Sequence, residues 1–375
     1  MKLFLIAGAR PNFMKIAPLI HILDNHSTIK TTIIHTGQHY DKKMSTLFFD
    51  QLRIPEPKIN LEVGSASHAV QTAKIMERFE KVCIDYIPDM VLVVGDVNST
   101  IACSLVAKKL NIPVCHYEAG LRSGDRAMPE EINRLVTDAI SDLYFTTCKD
   151  ADNNLLREGI PAEKIFMVGN LMIDSLVNNL VRAENKNVKL HKINSNTHIN
   201  FNDHFKSDKY AIMTFHRPSN IDDANTFRIL IEQWLKISEK IPLIFPVHPR
   251  TLQNAKSFKL LKILSSAPHL HLIEPLGYLD FLAVMKDSLF IITDSGGIQE
   301  EATYLKIPCL TVRKNTERPI TITEGSNRLV KPNKIIDNVN KILYGKIKMG
   351  HIPKYWDGKT AKRIVKILEN TNHNN

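Results

Sequence analysis

No stretch of the 375 residues is apolar for anything near the roughly 20 residues a bilayer crossing demands, so a membrane-spanning chain is not expected. Cysteine is scarce too. The five (Cys83, Cys103, Cys115, Cys148 and Cys309) are odd in number, widely spaced and mostly inside apolar runs. They make no disulfide framework and read as buried thiols in a reducing cytoplasm. Zinc-finger spacing is missing, as is any basic arm with interleaved aromatics, so a formal charge of +10 does not translate into a nucleic-acid partner. Spread along the chain, that charge supports an anionic small-molecule substrate instead. No Gly-x-Gly-x-x-Gly follows a strand-like run, which removes the usual fingerprint of a bound dinucleotide. The first residues, Met1 to Gly8, faintly resemble a signal peptide, but the apolar run stops by Ala9 and Arg10 follows, as expected of a buried first strand.

What the chain does have is 43% hydrophobic residues and a length beyond the reach of one core, so two domains are expected. Short apolar runs alternate with helical patterns, the sign of parallel sheets buried on both faces. The runs are Leu3 to Ala7, Thr31 to His35, Met90 to Val94, Val114 to Tyr117 and Leu143 to Thr146, then Tyr210 to Phe215, Pro242 to Val247, His271 to Ile273, Leu289 to Thr293 and Cys309 to Val312. Between the two sets, Ala183 to Lys209 is rich in Asn, Lys, His and Ser and reads as a surface excursion close to a domain junction. The expected architecture is α/β: two doubly wound parallel-sheet domains.

Open parallel sheets bind ligands beyond the carboxyl ends of their strands, and polar residues gather there. The first run reaches Arg10 and Lys15, the third delivers Asp96 and the fourth Glu118; in the second set the ends carry His216 with Arg217, His248, and Asp294 with Ser295. Two such crevices facing each other would make one interdomain site. Each residue also has a structural reading. Asp96 could cap the helix starting near Ser99, Glu118 could be a buried carboxylate paired with Arg122 or Arg134, and His216 could be a satisfied core histidine. His248, before Pro249, reads as structural. Arg10 and Lys15 straddle a helix start opened by Pro11 and could be plain surface cations. Glu130 and Glu131, behind Pro129, could simply complement a helix dipole. The stretch Ile292 to Ala302 joins an apolar strand to a helix through Ser295-Gly296-Gly297, a corner whose free N–H groups and dipole attract phosphate. Glu300 and Glu301 in the same helix would repel a phosphate unless one of them takes sugar hydroxyls. Phosphate with sugar suggests a nucleotide.

Seven motifs in register resemble the non-hydrolysing UDP-N-acetylglucosamine 2-epimerases along nearly the whole chain. They are Gly8-Ala9-Arg10-Pro11 with Lys15, Gly95 to Thr100, Glu118 to Arg122, Pro129 to Arg134, His216-Arg217, Asp294 to Glu301, and Thr316-Glu317-Arg318-Pro319. The resemblance implies two Rossmann-like domains facing across a cleft, similar to glycosyltransferases of the GT-B type, divided at about 1–170 and 171–357. The final helix, about 358–375, would return to the first domain. It further implies that Arg10, Lys15, Arg134, His216, Phe281, Ser295, Gly296, Gly297, Glu301 and Arg318 hold the UDP-sugar, and that Asp96, Glu118, Glu130 and His216 carry the chemistry. The members commonly form homodimers, so a homodimer is expected.

The reaction so implied inverts carbon 2, where direct proton removal would give an unstabilised carbanion. Departure of UDP from carbon 1 makes the carbon-2 proton acidic, and a carboxylate can then take it. Cations and a helix dipole already neutralise the diphosphate, so neither metal nor cofactor is expected. One departure stands out: Gln38-His39-Tyr40-Asp41 replaces the Gln-His-Arg that serves a second, activating substrate molecule in many bacterial members. Relatives acting on diacetamido-uronic acid nucleotides share features of Gln38 to Phe49 but tend to lack Glu300-Glu301 and Glu317-Arg318-Pro319, both retained here. A GT-B glycosyltransferase would need an acceptor cleft, and a non-catalytic sensor could dispense with the carboxylates.

Overall fold

The computed structural model describes all residues except 25, 38–48, 50–51, 194, 206–208, 348 and 374–375, and the side chains of Arg10, Asn372 and His373 also lie outside the described part. The Gln38 to Asp41 motif therefore falls outside the described residues. The chain forms two compact units, Met1–Ser175 with Lys354–Asn375, and Leu176–Pro353. Among the described residues no helix is long and apolar enough to cross a membrane.

The first unit holds seven parallel strands: β1 (Lys2–Ala7), β2 (Lys30–His35), β3 (Ile59–Asn60), β4 (Met90–Val94), β5 (Val114–Tyr117), β6 (Leu143–Thr146) and β7 (Ile165–Met167). Their order across the sheet is β3-β2-β1-β4-β5-β6-β7. The winding therefore reverses between β1 and β4, the place where such sheets open a ligand crevice. Branched apolar residues fill the strands because helices cover both faces. Phe4, Ile6, Ile34, Val91, Val93 and Val114 pack against Ile75, Phe79 and Cys103 from the helices His68–Tyr86 and Asn98–Lys109.

The second unit opens with a short antiparallel pair, β8 (Lys189–His191) and β9 (His198–Asn200), followed by β10 (Ala211–Thr214), β11 (Leu243–Pro246), β12 (Leu270–Ile273), β13 (Ile291–Thr293), β14 (Cys309–Thr311) and β15 (Asn327–Leu329). The parallel strands run in the order β12-β11-β10-β13-β14-β15, so the same reversal recurs between β10 and β13. Alternation within the strands serves two cores. Met213, Phe245 and Ile292 join Phe227 and Trp234 on one face, whereas Ile212, Ile244 and Ile291 join Leu282 and Met285 on the other.

The segment 183–209 departs from the expected surface excursion. Its few apolar residues, Val188, Leu190, Ile199, Phe201 and Phe205, are all buried against the second face of the sheet, because the hairpin spaces them onto one side while its polar residues point out. All five cysteines are free and buried, as their apolar settings suggest.

The C-terminal helix Thr360–His373 is seated in the first unit by a single buried carboxylate. Asp174 accepts N–H bonds from Thr360 (3.1 Å) and Ala361 (2.8 Å), satisfying a helix start that has no water to turn to. Trp356 Nε1 donates to the Thr147 carbonyl on the same side. Replacing Asp174 by Ala strands two buried donors, and we expect a loss of about 2 kcal/mol in unfolding free energy, read as a lower urea midpoint at unchanged slope.

Candidate active site

At the reversal of the first sheet, the chain leaves β4 through Gly95, whose φ of +74° is open to glycine at little cost. A Cβ there would stand 3.3 Å from Glu118 Oε2 and 3.4 Å from Lys15 Nζ, so glycine also admits these two side chains. Glu118 itself has φ +71°, a conformation that costs a non-glycine residue on the order of 1 kcal/mol and that clusters at functional sites. It turns the carboxylate out of the β5 end and onto Lys15: Nζ to Oε2 is 2.6 Å, with side-chain exposures of 9% and 3%. Neither Arg122 nor Arg134 supplies the partner. Arg122 binds Asp138 and Glu158, and Arg134 binds Asp96 and Glu131.

Asp96 does not cap a helix. The cap of Asn98–Lys109 is Val97, with no side-chain bond, and the Asp96 carboxylate is held by Arg134 instead. Asn133 Nδ2 fastens the Asp96 carbonyl at 2.8 Å. Of the two glutamates that open the helix Pro129–Ile140, Glu131 is the buried one. It accepts the N–H groups of Ser123 and Gly124 and pairs with Arg134 at 2.6 Å. Burial pushes its pKa up, but these donors outweigh burial and hold it below the usual value. Glu130 is half-buried in the first turn beside it. Lys15, Asp96, Glu118 and Arg134 thus collect around the carboxyl ends of β1, β4 and β5, and Glu130 lies on the helix that carries Arg134.

Asn12 was not singled out by its sequence context, yet it ties this corner together. Its Oδ1 accepts from the N–H groups of Gly8 and Ala9, and its Nδ2 donates to the Val94 carbonyl at 3.0 Å. An Asn directly after a Pro is a weak signal by itself.

The second unit repeats the plan with opposite charge. Asp294, fully buried at the end of β13, accepts the N–H groups of His216 (3.1 Å) and Arg217 (2.9 Å), and Asn220 Nδ2 at 3.1 Å. Its second contact with His216, Nδ1 to Oδ1, is 2.9 Å. Burial raises this carboxyl, yet the His216 and backbone donors leave it net lowered and ionised. His216 is therefore oriented by Asp294, and its ring remains partly open, with a side-chain exposure of 42%. His248, its ring tilted against that of His216 with centroids 5.8 Å apart, caps the helix Pro249–Ser257 by accepting from Arg250 N–H, consistent with its structural reading.

Ser295 caps the helix Gly296–Tyr304 without a side-chain bond, which leaves the first N–H groups to the two glycines. A Cβ on Gly296 would sit 3.0 Å from Glu317 Oε1 and 3.1 Å from Arg318 Nη1. Arg318 is bound by both Glu317 and Glu300, the latter at 2.9 Å from Nε. Glu300 is thus compensated. Phe281 lies partly buried on the helix Tyr278–Met285. Among the described residues Glu301 pairs with no cation: burial, with Glu300 adding to it, lifts its carboxyl to about 7, opposed by the neighbouring Tyr278 hydroxyl. Tyr278 and Glu301 lie close together, but neither Tyr278 Oη nor Glu301 Oε1 completes a hydrogen bond of good geometry. Tyr278 was not apparent from sequence, where it reads as one more apolar helix residue. Among the described residues no cluster of three or more His, Cys, Asp or Glu could hold a metal ion.

A carboxyl whose folded pKa is raised stabilises the fold below its unfolded value and loses that contribution as pH climbs through the folded one. For Glu301 the window runs from the model value of 4.5 to about 7. Glu301→Gln is therefore expected to gain on the order of 2 kcal/mol over the parent above that window and little below it, measured as urea midpoints between about pH 4 and 9.

Comparison with known proteins identifies the family. A family model described as UDP-N-acetylglucosamine 2-epimerase matches residues 21–369. The UDP-N-acetylglucosamine 2-epimerase of Methanocaldococcus jannaschii is 45% identical over 372 residues, covering 98% of this chain and 99% of that one. The UDP-2,3-diacetamido-2,3-dideoxy-D-glucuronate 2-epimerase of Pseudomonas aeruginosa is 35% identical over 373 residues, at 98% and 99% coverage. The crystal structure of the Methanocaldococcus jannaschii enzyme in complex with UDP-GlcNAc and UDP superposes with a TM-score of 0.86 at 44% identity, covering 98% of this chain and 99% of that one. The chain belongs to the UDP-N-acetylglucosamine 2-epimerase family.

Proposed function

We propose that this chain interconverts UDP-N-acetylglucosamine and UDP-N-acetylmannosamine by elimination and re-addition of UDP, in the cytoplasm, as a supply of precursor for surface polysaccharide. The observation that supports the reading is the pairing of Glu118 with Lys15 and of Asp96 with Arg134 at one sheet reversal, in a member of this family; Glu130, on the helix that carries Arg134, would complete the set of carboxylates. The C1–O bond breaks with its electron pair leaving on UDP, and a carboxylate removes the C2 proton. A C1=C2 glycal remains. UDP then re-adds at C1 while a second acid returns a proton to the opposite face of C2. Arg10 and Lys15 would meet the developing diphosphate charge, together with Arg318 and the Ser295-Gly296-Gly297 helix start. His216, aimed by Asp294, is placed to act on the same group. Glu301 and Tyr278 offer unsatisfied buried oxygens suited to ribose hydroxyls, and Phe281 a ring for the base. Retention of Glu300-Glu301 and Glu317-Arg318-Pro319 supports UDP-N-acetylglucosamine over a diacetamido-uronic acid nucleotide. No step calls for a cofactor. A homodimer remains the expected assembly.

Incubation with UDP-N-acetylglucosamine in deuterated water, followed by NMR, tests the route. Deuterium at carbon 2 in both epimers is expected, with no added cofactor, and epimer formed without exchange would exclude elimination; a parallel run with the diacetamido-uronate nucleotide decides the substrate. Asp96→Asn and Glu118→Gln should each lower kcat by about 10³-fold or more while UDP affinity stays within about threefold, since they remove proton transfer and not diphosphate contacts.

A further inference from the structure

Four imidazole–carboxylate pairs occur among the described residues; two of them, His116–Asp138 and His216–Asp294, stand beside the strand ends that carry candidate site residues, and only one of these two has been given a part. His216 with Asp294 keeps an open ring that a ligand can reach. His116 with Asp138 is sealed: the side-chain exposures are 0% and 1%, so neither can touch a substrate. A buried pair of this kind is costly to desolvate, and its placement shows what it does.

His116 lies on β5, two residues before Glu118. Its Nδ1 faces Asp138 Oδ1 at 2.6 Å and its Nε2 faces the Gly95 carbonyl at 2.9 Å. Both partners are acceptors, so each ring nitrogen faces an oxygen able to take a hydrogen bond from it. The other oxygen of Asp138 accepts the Gly120 N–H at 3.0 Å and pairs with Arg122 Nη1 at 2.7 Å. Burial works against ionising Asp138, but His116 and Arg122 outweigh it and hold its pKa below the usual value. Gly95 is gripped from the other end as well, its N–H donating to the Tyr117 carbonyl at 3.0 Å. The peptide that launches Asp96 is thus fixed by β5 at both its ends. The turn after Glu118 is fixed by the same carboxylate.

We propose that His116 and Asp138 are positioning residues of the epimerisation, a sealed pair that locks the Gly95–Asp96 peptide and the Gly120 turn together and so sets where the Asp96 and Glu118 carboxylates stand. The inference rests on the reaction proposed above. It assigns the pair no proton transfer with substrate; its contribution is the relative placement of two groups that do react, and a misplacement on the order of 1 Å costs about 10²-fold in rate.

His116→Gln keeps one donor and loses the second, and Asp138→Asn keeps the shape and loses the charge. For each, kcat is expected to fall about 10²-fold with KM and UDP affinity within about threefold, and the double variant to be no worse than the poorer single, because the two act as a unit. A role in folding alone would lower the melting temperature while the folded enzyme kept its kcat, and that result overturns the proposal, as does additive loss in the double variant. Should both variants fail to fold, histidine-selective ¹⁵N spectra of the wild-type protein still decide: one solvent-protected ring whose Nδ1–H is hydrogen-bonded to a carboxylate is expected, and its absence overturns the pair as drawn. Wild-type protein that fails to exchange deuterium at carbon 2 would sink the functional reading and with it the positioning role, whereas loss of the ¹⁵N signature in an enzyme that does exchange would sink this inference alone.

Discussion

Both units depend on a reversal of winding. In the first sheet the chain departs on one side after β1 and on the other after β4, and in the second the same happens at β10 and β13. Loops that diverge leave strand ends uncovered, and whatever polar groups stand there are reachable from outside yet backed by a dry sheet. Charge placed at such a point is hard to keep. Lys15 and Glu118 are almost wholly out of water, and each gives the other part of the compensation that a buried charge requires. The same holds for Asp294, which accepts from two main-chain N–H groups, Asn220 and His216, and by doing so pins the loop after β10 to the end of β13.

The two reversals carry complementary chemistry. In the first unit carboxylates are held by cations: Glu118 by Lys15, and Asp96 with Glu131 by Arg134. In the second the guanidinium of Arg318 is held by two carboxylates, Glu317 and Glu300. This arrangement resolves a conflict that the sequence presents, namely acidic residues in a helix whose N-terminus should welcome phosphate. Glu300 does not oppose an anion there, because its charge is spent on orienting Arg318 beside Gly296. Glu301 avoids the conflict differently: with its carboxyl lifted to about 7, it adds less than a full negative charge at neutral pH.

How much of this was legible in the sequence follows from range. Ten strands announced themselves as branched apolar runs, since a strand covered on both faces cannot alternate. Strands β3, β7 and β15, of two or three residues each, are too short for any period to show, and the β8–β9 hairpin hid its five buried residues among Asn, Lys and His. Polar residues at strand ends were visible for the same local reason. Their partners were not. Lys15 and Glu118 are 103 positions apart, and Arg134 and Asp96 are 38 apart, so the expected pairing of Glu118 with a nearby arginine failed where composition could not choose among cations. His116 and Asp138 read as strand interior and helix, and only the fold reveals that they meet.

The Lys15–Glu118 pair has a consequence for the proposed elimination. An ammonium has three protons to give, and Glu118 takes one of them at 2.6 Å. In the proposed elimination, charge growing on a departing diphosphate would draw the same ammonium, so Lys15 would be shared between Glu118 and the leaving group. Leaving-group departure and proton removal would then be linked through one side chain. The left-handed backbone of Glu118 belongs to this arrangement, because φ +71° turns the chain at the end of β5, where the carboxylate meets Lys15.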